Sequence, residues 1–184
     1  MKFKKITFIL GTLLFMISCS NDDDNGVTPC PEVINQGGMT IEGSDSNTYP
    51  YNNLKYSYMD REGKDNNGNF VYQFIYSNYD IENTSQVQDG YFLKFRITTP
   101  EDIPDGLFSL NNSVKTISDV ETFYDYTPGG TIGRIDVSEM TVTFSNFDSC
   151  LNHEIAISFS DTDFSPGTTG NGSFSGKSNL YTIQ

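Results

Sequence analysis

The chain has 184 residues, 24 acidic and 11 basic side chains, a net charge of −13, three cysteines, a single histidine and no tryptophan. So acidic a surface repels phosphate backbones, which excludes nucleic acid as a partner. One histidine beside three cysteines is too thin a donor set for a zinc cluster, so no metal or cofactor is expected.

In chain order, Lys2, Lys4 and Lys5 precede a 12-residue apolar run from Ile6 to Ile17. The run is too short to span a bilayer and has the length of a secretory leader. Ser18 stands directly before Cys19, which resembles a bacterial lipobox, with Met16 where such boxes usually carry Leu. The resemblance implies cleavage after residue 18 and lipid on the Cys19 sulfur. Each buried CH₂ of such an anchor contributes about 0.8 kcal/mol, so the expected membrane contact is a tether and not a span. The next residues, Ser20-Asn21-Asp22-Asp23-Asp24, resemble the acidic tract that sends Bacteroidota-type lipoproteins to the outer face of the outer membrane. The plain alternative is a solvated acidic linker.

Loss of the three leader lysines takes the net charge from −13 to −16 and leaves 166 residues, enough for one domain with a sizeable core. Asn21-x-Asp23-x-Asn25-Gly26 with Glu32 at the twelfth position imitates a calcium loop. Asn in place of the leading Asp, with Pro29 and Pro31 where a helix should follow, argues against it.

Two cysteines remain outside the lipobox, Cys30 and Cys150, in a compartment where thiols oxidise. A bridge between them is the simplest pairing; two free buried thiols or half a metal site are the alternatives. Residues 21–38 read as a polar tether rich in Asp, Asn, Pro and Gly. The expected organisation is therefore a leader over 1–18, a lipidated tether over 19–38 and a folded domain over 39–184.

Strand patterning then begins. Met39-Thr40-Ile41 is a short strand, and Leu54, Tyr56 and Tyr58 alternate with polar residues. Asn67-Gly68 signals a hairpin turn into Phe70–Tyr76, whose two apolar faces mark a central strand. Residues 90–98 repeat the alternation with Leu93, Phe95 and Ile97. Pro100, Pro104 and Gly106 make a connection, followed by short strands at 107–110 and 114–123. Ile132 is out of phase with Ile135 and Val137, which places a bulge at Gly133. Met140, Val142 and Phe144, then Ile155, Ile157 and Phe159, alternate plainly, and residues 172–177 and 180–183 close the chain.

About ten short strands and no helical periodicity predict an all-β domain. The expected form is an antiparallel β-sandwich, with an up-and-down barrel as the alternative. The order of strands from Gly106 through Thr131–Val137, Met140–Phe144 and Ile155–Phe159 to Gly172–Lys177 is similar to small Bacteroidota lipoprotein domains. The resemblance covers about the last half of the chain and implies no particular reaction.

Chemistry-bearing motifs are sparse. His153, in the turn after Cys150, lacks a nucleophile in a recognisable setting and reads as a surface or turn histidine. Carboxylates are abundant enough for a paired-acid hydrolase, yet they fall mainly in loops and tether. The aromatics in loop-like context, Tyr49 and Tyr51 around Pro50 and Tyr124 and Tyr126 before Pro128, are the candidate ligand platform. A binding or assembly module for a neutral glycan or peptide, accessory to nutrient capture or adhesion, is the leading expectation. A structural surface protein is the second, and a small hydrolase the third.

Overall fold

Alternating sequences need partners for their edges and cover for their apolar faces, and both are supplied here by one long sheet. The computed structural model describes residues 29–44, 46–85, 87–110, 112–126, 133–161 and 167–181, the side chains of 125 and 126 excepted. Residues 1–30 and 31–184 form two units, and the sheet belongs to the second. Cys19 and the tract Ser20, Asn21, Asp22, Asp23 and Asp24 lie outside the described residues. Cys30 and Cys150 are both disulfide-bonded, the pair expected from the sequence.

The described residues hold twelve strands and no helix, an all-β fold as the alternation predicts. They are β1 (Gln36–Glu42), β2 (Thr48–Tyr51), β3 (Tyr56–Lys64), β4 (Phe70–Ser77), β5 (Gly90–Thr99) and β6 (Gly106–Ser109). The second half supplies β7 (Thr116–Tyr126), β8 (Gly133–Ile135), β9 (Glu139–Ser145), β10 (Asn152–Asp161), β11 (Thr168–Lys177) and β12 (Asn179–Leu180). Their order in the sheet is β12-β3-β4-β5-β7-β6-β9-β10-β11-β1-β2, with β8 added on β7. Pairing is antiparallel except for β12 with β3 and β6 with β7.

The sheet folds over on itself, because rings touch between strands far apart in the hydrogen-bonded order. Phe74 of β4 lies 4.8 Å from Phe144 of β9, and Tyr76 of β4 lies 5.2 Å from Phe174 of β11. Strands β3, β4, β5 and β7 thus face β9, β10, β11, β1 and β2 across one core, sandwich-like in packing and barrel-like in continuity. The layers meet at β6, which joins β7 through the single pair Ser109 and Thr116.

On the opposite side the layers are stitched by Asn35. Its Nδ2 donates to the Lys55 carbonyl at 2.9 Å and the Lys177 carbonyl at 3.0 Å, while its Oδ1 accepts from the Lys177 amide at 2.7 Å. Leu54 N donates to the Gly37 carbonyl at 3.1 Å beside it. The ordered strands therefore begin at Gln36, three residues inside the stretch expected to be tether.

Strand period accounts for the core. Met140, Val142 and Phe144 on β9 and Ile155, Ile157 and Phe159 on β10 are buried, with Thr141, Thr143, Ala156 and Ser158 between them exposed on the outer face. The neighbouring glycines make room for large rings. A Cβ on Gly170 would stand 2.1 Å from the Phe159 ring directly across the ladder, and one on Gly133 would stand 2.3 Å from Tyr124. Gly133 was expected to mark a bulge. From Gly133 to Ile135 the register against β7 is regular, while residues 131 and 132, where such a bulge would begin, lie outside the described residues; Tyr124 lies over Gly133 and leaves no room for a side chain.

Candidate functional site

The site is built from β2 and the loop between β4 and β5. Strand β2 is four residues long and occupies an edge, the place in a sheet where a proline such as Pro50, which has no N–H to donate, is tolerated. Its register opposite Met39 and Ile41 turns Tyr49 and Tyr51 to the inner face. Both were read from sequence as loop residues, and the correction has a plain cause. Thr48–Tyr51 is too short and too proline-marked to show alternation.

The four expected platform residues separate accordingly. Tyr51 is 6 % exposed and stacks on Tyr91 at 5.0 Å, so it belongs to the core and not to an exposed surface. Tyr49 and Tyr124 are brought together, half-buried, with ring centroids 5.5 Å apart and planes tilted by 49°. Tyr126 closes β7, and its side chain lies outside the described residues.

The loop after β4 reaches the same place. Asn78 is held across the loop base: its Oδ1 accepts from Tyr91 N at 2.7 Å, and its Nδ2 donates to the Asp89 carbonyl at 3.1 Å. Asp89 adopts a left-handed φ of 52°, a conformation Asp tolerates better than most residues. Gln88 and Asp89 are thereby fixed opposite β2, and both are exposed.

Between them lies an open cleft of about 340 Å³, lined by Thr48, Tyr49, Pro50, Asn52, Gln88 and Asp89 among others. A second, more enclosed cleft of about 170 Å³ opens where the two layers part, between Tyr49, Tyr124, Ser44, Arg134 and Thr168. Tyr49 lines both. Aromatic surface thus stands beside amide, hydroxyl and carboxylate groups that donate and accept, the composition of a small-ligand site.

A trough of about 560 Å³, larger than either cleft, runs over the outer face of β9, β10, β11 and β1. Most of its outward side chains are short, Thr143, Ser145, Ala156, Ser173 and Ser175, with the longer Gln36 and Glu154 beside them. Phe174 and Ile155 contribute little there because they point into the core, at 1 % and 2 % exposure. With no exposed ring to lay against a ligand, it is a weaker candidate than the smaller Tyr49 clefts.

His153 is buried, contrary to the surface reading. Its Nδ1 donates to the Leu151 carbonyl at 3.0 Å, a bond that leaves Nε2 to accept from the Tyr76 hydroxyl at 2.8 Å. The Ser57 hydroxyl bonds Tyr76 and meets Ser178 Oγ at 2.6 Å, and Ser178 N donates to the Leu151 carbonyl at 3.1 Å. The circuit closes on itself and ties β3, β4, β10 and the segment after β11. Burial holds the His153 imidazole below its ordinary range and pushes the Tyr76 phenol well above its own. A neutral, fully paired imidazole ringed by Phe74, Phe144, Phe147 and Phe174 has no route to a substrate. Its role is to satisfy buried polar groups where two layers meet.

Sequence reasoning missed Asn52, Gln88 and Asp89 because nothing local marks them; only the curl of the sheet brings residues 48–52 to 88–89. Among the described residues no group of three or more His, Cys, Asp or Glu side chains stands close enough to hold a metal. No family model matches the chain, and no curated protein and no solved structure matches it either.

Proposed function

We propose that this chain is a lipid-anchored protein of the outer membrane, facing the cell exterior, whose β-domain binds a neutral ligand at Tyr49 and carries out no reaction of its own. The lipobox-like Ser18-Cys19 and the acidic tract after it support the anchor and its destination. The observation that carries the binding role is that one half-buried ring, Tyr49, is shared by two adjoining clefts with exposed polar side chains on either side. Such a site suits capture of a polymeric nutrient or attachment to one. The acidic surface favours neutral over anionic ligands, since like charge raises the free energy of approach at low salt.

Two measurements test this. The Cys19→Ala protein should leave the membrane fraction for the soluble one, because the leader is too short to span and the anchor is gone. Retention through an alkaline wash contradicts the lipid anchor. A combined array of neutral glycans and peptides probed with the full protein should return a binder. An array with none favours a structural surface protein without a small ligand.

A further inference from the structure

We infer that the ligand of the Tyr49 site is an uncharged oligosaccharide chain of at least two sugar units, laid over Tyr49 from the cleft beside Pro50 into the cleft beside Tyr124. The inference rests on the binding role proposed for that site and names the chemistry it selects.

The edge itself argues against a peptide. A peptide strand adds to an exposed sheet edge by exchanging main-chain hydrogen bonds along several residues. Strand β2 offers only four residues, and Pro50 at its exposed position has no N–H to give. The groups that remain open are side chains: the exposed amides of Asn52 and Gln88 and the carboxylate of Asp89. An amide donates and accepts at once and a carboxylate accepts twice, which matches hydroxyls that do both. Tyr49 supplies a ring face for the apolar C–H side of a sugar. Asn78 is a positioning residue here, since both ends of its amide are spent on Tyr91 N and the Asp89 carbonyl.

Size sets the length. The larger cleft, about 340 Å³, is at the lower end of the roughly 300–1,000 Å³ of small-molecule sites, and the smaller, about 170 Å³, falls below it. Neither buries much ligand alone. A single hexose at ordinary ligand efficiency binds with a Kd of only about 1 mM. A chain that crosses Tyr49 engages both clefts with one loss of overall freedom, so affinity should rise steeply between one unit and several.

The test is calorimetric titration of the full-length protein with the hexaoses of glucose, mannose, galactose and xylose. Their monosaccharides, a pool of neutral decapeptides and heparin serve as comparisons. At least one hexaose should bind roughly tenfold or more tightly than its monosaccharide, and heparin should bind less well than that hexaose. Tyr49→Ala should weaken hexaose binding by about tenfold or more. Because Tyr49 also packs on Tyr124, the double variant Asn52→Ala/Gln88→Ala, exposed and without cost to the core, should weaken it as well while the melting temperature stays unchanged. A decapeptide that binds and is lost in Tyr49→Ala overturns the oligosaccharide and leaves the binding role standing. Hexaose binding indifferent to both variants overturns the site, and the absence of any binding overturns inference and binding role together.

Discussion

Replacing Cys30 and Cys150 together by Ser should lower the melting temperature by roughly 10–20 °C at neutral pH without changing the far-ultraviolet signature of a β-protein. The two residues are disulfide-bonded and 120 positions apart in the chain. In the chain-entropy account, cross-linking a loop of that length removes freedom from the unfolded ensemble worth about 4–5 kcal/mol. At roughly 2–4 °C per kcal/mol for a chain of this size, the stated fall follows. Cys150 sits in the turn between β9 and β10, where Asp148 accepts from the amides of Cys150 and Asn152 at 2.8 and 2.9 Å. That turn keeps its own bonds when the bridge is removed, so the loss should be entropic in origin and should leave the native fold in place. A fall of less than a few degrees would mean that the reduced chain is already restrained by residual structure.

Phe74→Ala should cost about 3–5 kcal/mol, the range for emptying a large aromatic from a packed core. Phe74 is fully buried at the point where the layers meet. Its ring lies 4.8 Å from Phe144, 5.9 Å from Phe95 and 6.0 Å from His153, so one truncation removes contacts to β9, β5 and β10 at once. The cavity would open beside the rings of His153 and Tyr76, which lie 6.0 and 6.2 Å from Phe74 and are hydrogen-bonded to each other. Urea unfolding measures this directly: the midpoint should fall with little change in slope. A loss below about 1 kcal/mol would show that the layers repack and that the ring cluster does not hold them together.

How much of this was legible in the sequence depends on the range of the interactions involved. Strands such as β5, β9 and β10 announced themselves because alternation is local: Leu93, Phe95 and Ile97, or Ile155, Ile157 and Phe159, fix the buried face without reference to anything distant. The Asn67-Gly68 hairpin was legible for the same reason, and Gly68 there has the positive φ of 85° that such turns use. β2 was not legible, since four residues with a central proline carry no period, and its strand character comes from pairing with β1. At Gly133 a small residue signals either a bulge or a close neighbour, and the close neighbour, the cross-strand Tyr124, becomes visible only in the fold. His153 was misread because its burial is compensated by Tyr76, 77 positions earlier, a partner no local pattern reveals.

The candidate site divides in the same way. Tyr49 and Tyr124 were singled out as aromatics in unusual contexts, and the fold places their rings against each other. Tyr51 shares that context and the same inner face, but two residues along it is covered by Tyr91. Asn52, Gln88 and Asp89 had no sequence signal at all, because exposed amides and carboxylates are ordinary surface residues until a second segment is laid beside them.

If ligand enters beside β2, titration of the full-length protein with the best-binding hexaose, followed by amide shifts in nuclear magnetic resonance, should give shifts concentrated at Tyr49, Asn52, Gln88, Asp89, Tyr124 and Arg134. Shifts concentrated instead at Thr143, Ala156 and Ser173, on the outer face of β9, β10 and β11, would contradict that point of entry.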